Sequence, residues 1–162
     1  MTVAEVAMIQ EPSWTKKHFQ TLKNTYGKAP FFKKYLPLLQ EIYERKDEKL
    51  ADFTCFTSEL IARELGIDHT KFIRSSTLPA VGVKTDRLVS ILTQLNATHY
   101  VSGPSAVAYL EQGKLEKAGI SLEWMSYDYP PYPQIHGPFI PNVTILDLLF
   151  NVGLEAPHYI WG

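Results

Sequence analysis

The chain has 162 residues, 45% apolar and 20% charged, with a formal net charge of −1; this is enough to bury one proper core, so a single domain is expected. Its lysines are interspersed with acids and form no basic stripe, which argues against nucleic-acid binding. Cys55 is the only cysteine, which excludes an internal disulfide framework and a cysteine-ligated zinc site and suits a reducing compartment.

The start lacks the basic and apolar blocks of a leader, and no run approaches the roughly 20 apolar residues of a membrane span, so the chain reads as cytoplasmic with no membrane contact. In chain order, Val3 to Ile9 suits a short strand or the entry to one. Ser13 is placed to cap a helix in which Trp14, His18, Leu22 and Tyr26 recur every four residues and Gly27 is the stop. Pro30 opens a second helix carrying Phe31, Tyr35, Leu38, Leu39 and Ile42; Pro37 inside it lacks an N–H, which predicts a kink or restart. A third helix spans Leu50 to Leu65, with Gly66 as a left-handed cap.

After Gly66 the rhythm changes. KFIRSS (71 to 76) and ATHYVSG (97 to 103) read as strands, each followed by a helical pattern. Thr85 is placed to cap the first of these helices and Pro104 to open the second. ISLEWMSY (120 to 127) alternates as a half-covered strand, and Ile145 to Val152 reads as a short buried helix. The order implies an α/β fold with a short, mainly parallel sheet, helices packed on it and a preceding helical section, all in one domain over residues 1–162.

Chemistry is concentrated in three places. Arg74-Ser75-Ser76 and Ser102-Gly103-Pro104-Ser105 put hydroxyls and free N–H groups at strand-to-helix junctions, where anions are favoured. Ligands of open parallel sheets bind beyond the strands' carboxyl ends, so these loops are expected to wall one pocket, with Lys84 and Arg87 adding positive charge for a phosphate; the competing reading is ordinary N-caps. GVKTDRL (82 to 88) is not a P-loop, since Val83 separates the glycine from the lysine.

The third place is the segment from Tyr127 to Val152. Five prolines between Pro130 and Pro141 stiffen it. Tyr127, Tyr129 and Tyr132 offer flat faces with polar tips, and Gln134 and His136 offer hydrogen bonds, a mixture suited to a sugar or base ring; a purely structural crossover would use the same stiffness. Asp147 and Asn151 share a helix face and need partners, from ligand or backbone. His136 and His18 are the candidate acid–base groups, whereas His69, His99 and His158 lack supporting neighbours. No histidine pair has metal-ligand spacing, and no metal or cofactor is expected.

The segments WTKKHFQTLKNTYGKAPFF, LVSILTQLNATHYVSGPSAVAYL and YPPYPQIHGPFIPNVTILDLLFNVG, in that order, make the chain resemble the WbqC-like proteins from Trp14 to Gly153. The family's motif residues fall on Trp14, Lys17, His18, Ser102, Gly103, Tyr132, Gln134, Pro141, Asp147 and Asn151. Members occur in clusters for O-antigen and related surface polysaccharides, and one branch is associated with glycyl transfer, so the resemblance implies a sugar-modifying transferase. Family members usually begin with a further strand segment of Q-P-x-Y-x-P-W-x-G-Y-F type. This sequence starts after it, which implies a short variant, an excised portion, or completion by a partner chain or homo-oligomer.

Together these readings lead to an expected substrate, a nucleotide-linked amino sugar whose diphosphate meets the two loops and whose ring meets the proline segment. His136 or His18 would deprotonate the amine. The alternative is a non-catalytic accessory protein that binds a carbohydrate or a partner.

Overall fold

A computed structural model describes residues 2–9 and 11–162, with residues 12 and 13 as backbone only. The elements are α1 (Pro12–Tyr26), α2 (Phe32–Glu44), α3 (Leu50–Glu64), α4 (Lys84–Gln94), β1 (His99–Ser102), α5 (Gln112–Lys117), β2 (Ser121–Trp124), α6 (Ile145–Val152) and α7 (Ala156–Trp161). The fold is α/β, helix-rich, with a short parallel sheet and an N-terminal helical section. Its contacts form two compact units, Met1–Thr70 with Tyr129–Gly162, and Lys71–Asp128. Among the described residues no helix is long and apolar enough to cross a membrane.

In the first unit, α1 begins ahead of the expected Ser13 cap. Glu11 is the cap and Pro12 the first helical residue, where a missing N–H costs nothing; the Ser13 side chain lies outside the described residues. The stretch from Val3 to Ile9 is not a strand but a 3-10 turn at Val3–Glu5 and a single antiparallel bridge, Ala7 to Lys49.

Helix α2 runs unbroken through Pro37, so the expected restart is absent. Pro37 is exposed, and the carbonyl it leaves without an amide partner is therefore on the side that water can reach. The opposite stripe, Phe32, Tyr35, Leu38, Leu39 and Ile42, is buried and holds both halves of the helix to one core.

That core is completed by α6, in which every residue from Asp147 to Val152 is buried. Phe150 meets the rings of Tyr26 and Phe32 at 5.1 and 5.2 Å, and the Phe31 N–H donates to its carbonyl at 2.9 Å. Burying such a ring contributes about 1.5–3 kcal/mol. Thr144 caps α6 through its side chain.

In the second unit, β1 and β2 pair in parallel, His99 opposite Ser121 and Ser102 opposite Trp124. Leu92, Leu115 and Ile120 form its buried core. Residues 71–76, expected as a strand, are extended chain leading into a 3-10 turn at Ser75–Thr77. Phe72 and Ile73 are 41% and 39% exposed; a run with so little face to bury gains too little to form a strand. The chain therefore has one strand-to-helix unit here, where two were expected.

Thr85 is not the cap of α4, which is Val83. Its buried hydroxyl instead accepts the Glu111 N–H at 3.2 Å, tying α4 to the start of α5. Pro104 opens a 3-10 turn, Pro104–Ala108, in place of the expected α-helix.

Candidate functional site

The stiff segment closes on itself through a buried carboxylate. Asp147 and Asn151, one turn apart on α6, are each 6% exposed. Asp147 Oδ1 accepts from the Tyr132 hydroxyl at 2.8 Å and from Gln134 Nε2 at 2.9 Å. Gln134 also donates to the Ile140 carbonyl and accepts the Ile140 N–H, at 3.1 and 2.8 Å. Asn151 Oδ1 accepts the Ile135 N–H at 3.1 Å, and its Nδ2 donates to the Asp147 carbonyl at 2.8 Å.

The partners that Asp147 and Asn151 need thus come from the loop itself. Four residues predicted to contact substrate do converge, but on each other, and the polar atoms of Gln134 are all engaged within the protein. Burial, then the adjacent carboxylate, pushes the Tyr26 phenol up to about 12 and raises Tyr132 as well. Tyr26 was legible only as a core position of α1; its neighbourhood with Asp147 joins residues far apart in sequence.

His136 is exposed on this loop, and its Nε2 lies 2.8 Å from the Thr25 carbonyl at the end of α1. A carbonyl only accepts, so Nε2 carries the proton and Nδ1 of the neutral ring keeps its lone pair. Tyr129 opens the loop at φ +48, left-handed for a bulky residue ahead of a proline.

His18 stands elsewhere on the same unit, with Thr25 about 10 Å of helix rise further along α1. Its ring packs edge-on to Trp14 at 5.5 Å and Tyr43 at 6.3 Å. Trp14, His18, Tyr43, Leu50, Phe53 and Met8 line an apolar groove of about 360 Å³. Its lip is fixed, since Trp14 Nε1 donates to the Ile9 carbonyl and the Met8 N–H to the Glu48 carbonyl, at 3.1 and 2.9 Å. Tyr43 was not singled out from sequence. It borders the apolar stripe of α2, and only the packing of α1 and α3 beside it makes that border a wall.

In the second unit, Arg74, Ser75 and Ser76 lie on exposed chain. Without a strand at 71–76, they do not sit at a sheet end. Lys84 opens α4 at φ +51, and the Arg87 guanidinium turns back to the Ala80 carbonyl at 2.8 Å. Ser102, buried, does end β1, and its carbonyl accepts the Met125 N–H at 2.8 Å. Gly103 caps the following 3-10 turn, in which Ser105 is exposed.

The sheet also gives His99 the neighbours that sequence order conceals. Its Nδ1 lies 2.7 Å from Ser121 Oγ and its Nε2 2.8 Å from Glu123 Oε2, across the exposed face. Ser121 Oγ also lies 3.1 Å from the Thr98 carbonyl, and with His99 and Glu123 both exposed the three side chains form a surface clasp. No group of three or more His, Cys, Asp or Glu among the described residues is arranged to hold a metal.

Comparison with known proteins places the chain. The family model of the WbqC-like protein family matches residues 1–159. A relative from Mycobacterium tuberculosis (strain ATCC 25618 / H37Rv), "Uncharacterized protein Rv1507c", is 37% identical over 155 residues, which are 94% of this chain and 67% of the relative. No solved structure matches this chain. With the WxKKH segment lining a groove, the YxQ and DLLFN segments knotted together and the match running almost end to end, the chain belongs to the WbqC-like protein family.

Proposed function

We propose that this protein is a transferase that moves an acyl or aminoacyl group, such as glycyl, onto the amino group of a nucleotide-linked sugar, in the synthesis of O-antigen or a related surface polysaccharide. The observation that carries the reading is His136. Its ring is held through Nε2 on an exposed loop stiffened by prolines and tied to α6, which leaves Nδ1 of the neutral ring its lone pair.

In the reaction the sugar amine forms a bond to the carbonyl carbon of an activated acyl donor, and His136 Nδ1 takes a proton from the attacking nitrogen. The bond from that carbon to the leaving group breaks, and the leaving group departs with its electron pair and receives the proton from the imidazolium. The donor is an acyl thioester or an equivalently activated amino acid.

The test combines a thermal-shift panel of nucleotide-linked amino sugars with mass spectrometry of their reaction with acyl thioesters. A shifted melting temperature, an added acyl mass and a loss of about 10²- to 10⁴-fold in kcat for His136→Ala are expected. No shift across the panel, together with an unchanged rate for His136→Ala, overturns the reading.

A second reading has its own support. Tyr132 and Gln134 are spent on the Asp147 knot, as in a loop built to hold a surface for carbohydrate or partner binding without catalysis. Turnover by the purified chain alone removes it.

A further inference from the structure

A histidine on an exposed loop ordinarily turns in water and carries its ring proton on either nitrogen, so a single tautomer has to be imposed by a neighbour. For His136 the neighbour is the last turn of α1. That helix ends at Tyr26, and no backbone amide among the described residues donates to the Thr25 carbonyl. His136 Nε2 supplies the missing donor at 2.8 Å, from 111 residues further along the chain.

One hydrogen bond decides which nitrogen bears the proton but leaves the ring free to turn about the line of that bond. The Tyr26 ring restricts this turning. It stands 6.4 Å from the imidazole with the planes at 61°, an edge contact within the ordinary range for such rings. Tyr26 is itself held on two sides. Its ring meets buried Phe150 at 5.1 Å, and its hydroxyl lies beside the Asp147 carboxylate. Burial, then the bond to Asp147, raise this phenol to about 12, so at physiological pH it meets the carboxylate as a neutral donor. Asp147 also accepts from Gln134, two residues before His136. One buried carboxylate therefore ties down both the aromatic neighbour of His136 and the loop that carries it.

We propose that Tyr26 is a positioning residue for His136: with its hydroxyl on Asp147 and its ring edge on the imidazole, it keeps Nε2–H on the Thr25 carbonyl and the lone pair on Nδ1. The use of that lone pair as a base rests on the transfer reading above, whereas the locking of the ring does not.

The test is long-range two-dimensional proton–nitrogen NMR of the histidine rings in the whole chain at about pH 8.5, where an imidazole is neutral, with His136→Gln assigning the signals. Wild type is expected to show one His136 tautomer, protonated at Nε2, and cross-relaxation between the Tyr26 and His136 rings. Tyr26→Leu removes the edge contact and the tie to Asp147, and both tautomers are expected; Tyr26→Phe keeps the edge contact and is expected to keep one. In the acyl-transfer assay Tyr26→Leu is expected to lower kcat about 10- to 10²-fold at unchanged KM, the cost of a misplaced base. Mixed tautomers or no cross-relaxation in wild type, or a single tautomer persisting in folded Tyr26→Leu, overturns the proposal, and the wild-type spectrum decides if Tyr26→Leu does not fold. A locked ring in a chain that transfers nothing overturns the transfer reading alone, and transfer at the wild-type rate by Tyr26→Leu overturns the positioning role alone.

Discussion

Asp147 is a buried carboxylate held by neutral donors, and that arrangement gives Tyr132 its importance. Tyr132→Phe removes one hydrogen bond to a buried acid and is expected to cost about 1.5–3 kcal/mol in urea unfolding; a change within error would mean that the knot is not structural. The phenols also make a pH prediction. Tyr26 is raised from 10.0 to about 12 and Tyr132 is raised too, so the folded state holds protons that the unfolded chain releases. Their stabilisation is complete below about pH 10; that of Tyr26 is lost as pH rises through about 12, and that of Tyr132 is also lost above its ordinary value. Alkaline denaturation followed by tyrosinate absorbance should show unfolding steepen in that window, and less so in Tyr132→Phe. Thr57 is the opposite case, a hydroxyl cut off from water with no partner among the described residues. Thr57→Val keeps its shape and is expected to raise stability by about 1 kcal/mol, read from the urea midpoint.

At the scale of elements, the long helices were legible, whereas α7 was not, the helix expected from Pro104 is a 3-10 turn, and the strand expected at 71–76 does not form. The stripe of α2 and the continuous apolar run of α6 each announce a buried face, and both formed within about two residues of expectation. KFIRSS has strand-like composition but only two consecutive large apolar residues, and composition does not supply a pairing partner. The end of α6 is set by Gly153, at φ +62, where an added Cβ would sit 2.6 Å from Phe31 Cγ. Gly153→Ala combines left-handed strain with overpacking, and a loss of roughly 2–4 kcal/mol is expected in thermal unfolding. A wild-type melting curve would show that Phe31 yields and that α6 can end without glycine.

Across the whole molecule the two units differ in what they bury. The first core has twelve buried apolar residues drawn from both ends of the chain, whereas the second has Leu92, Leu115 and Ile120. Less buried apolar area means cheaper local opening. Amides of β1, β2 and α4 are expected to exchange with deuterium well before those of α2 and α6; equal protection would mean that both units unfold as one cooperative body.

Periodicity, proline content and short ordered motifs determined the amphipathic helices, a short parallel sheet, the stiffness of the proline segment and the family to which the chain is similar, because each depends on residues close in sequence. Tertiary structure decided the rest. It turned Tyr132, Gln134, Asp147 and Asn151 towards one another, and put His136 against Thr25 and His99 beside Ser121 and Glu123. A hydrogen bond is short and directional, and which donors reach which acceptors is settled only when distant elements have packed.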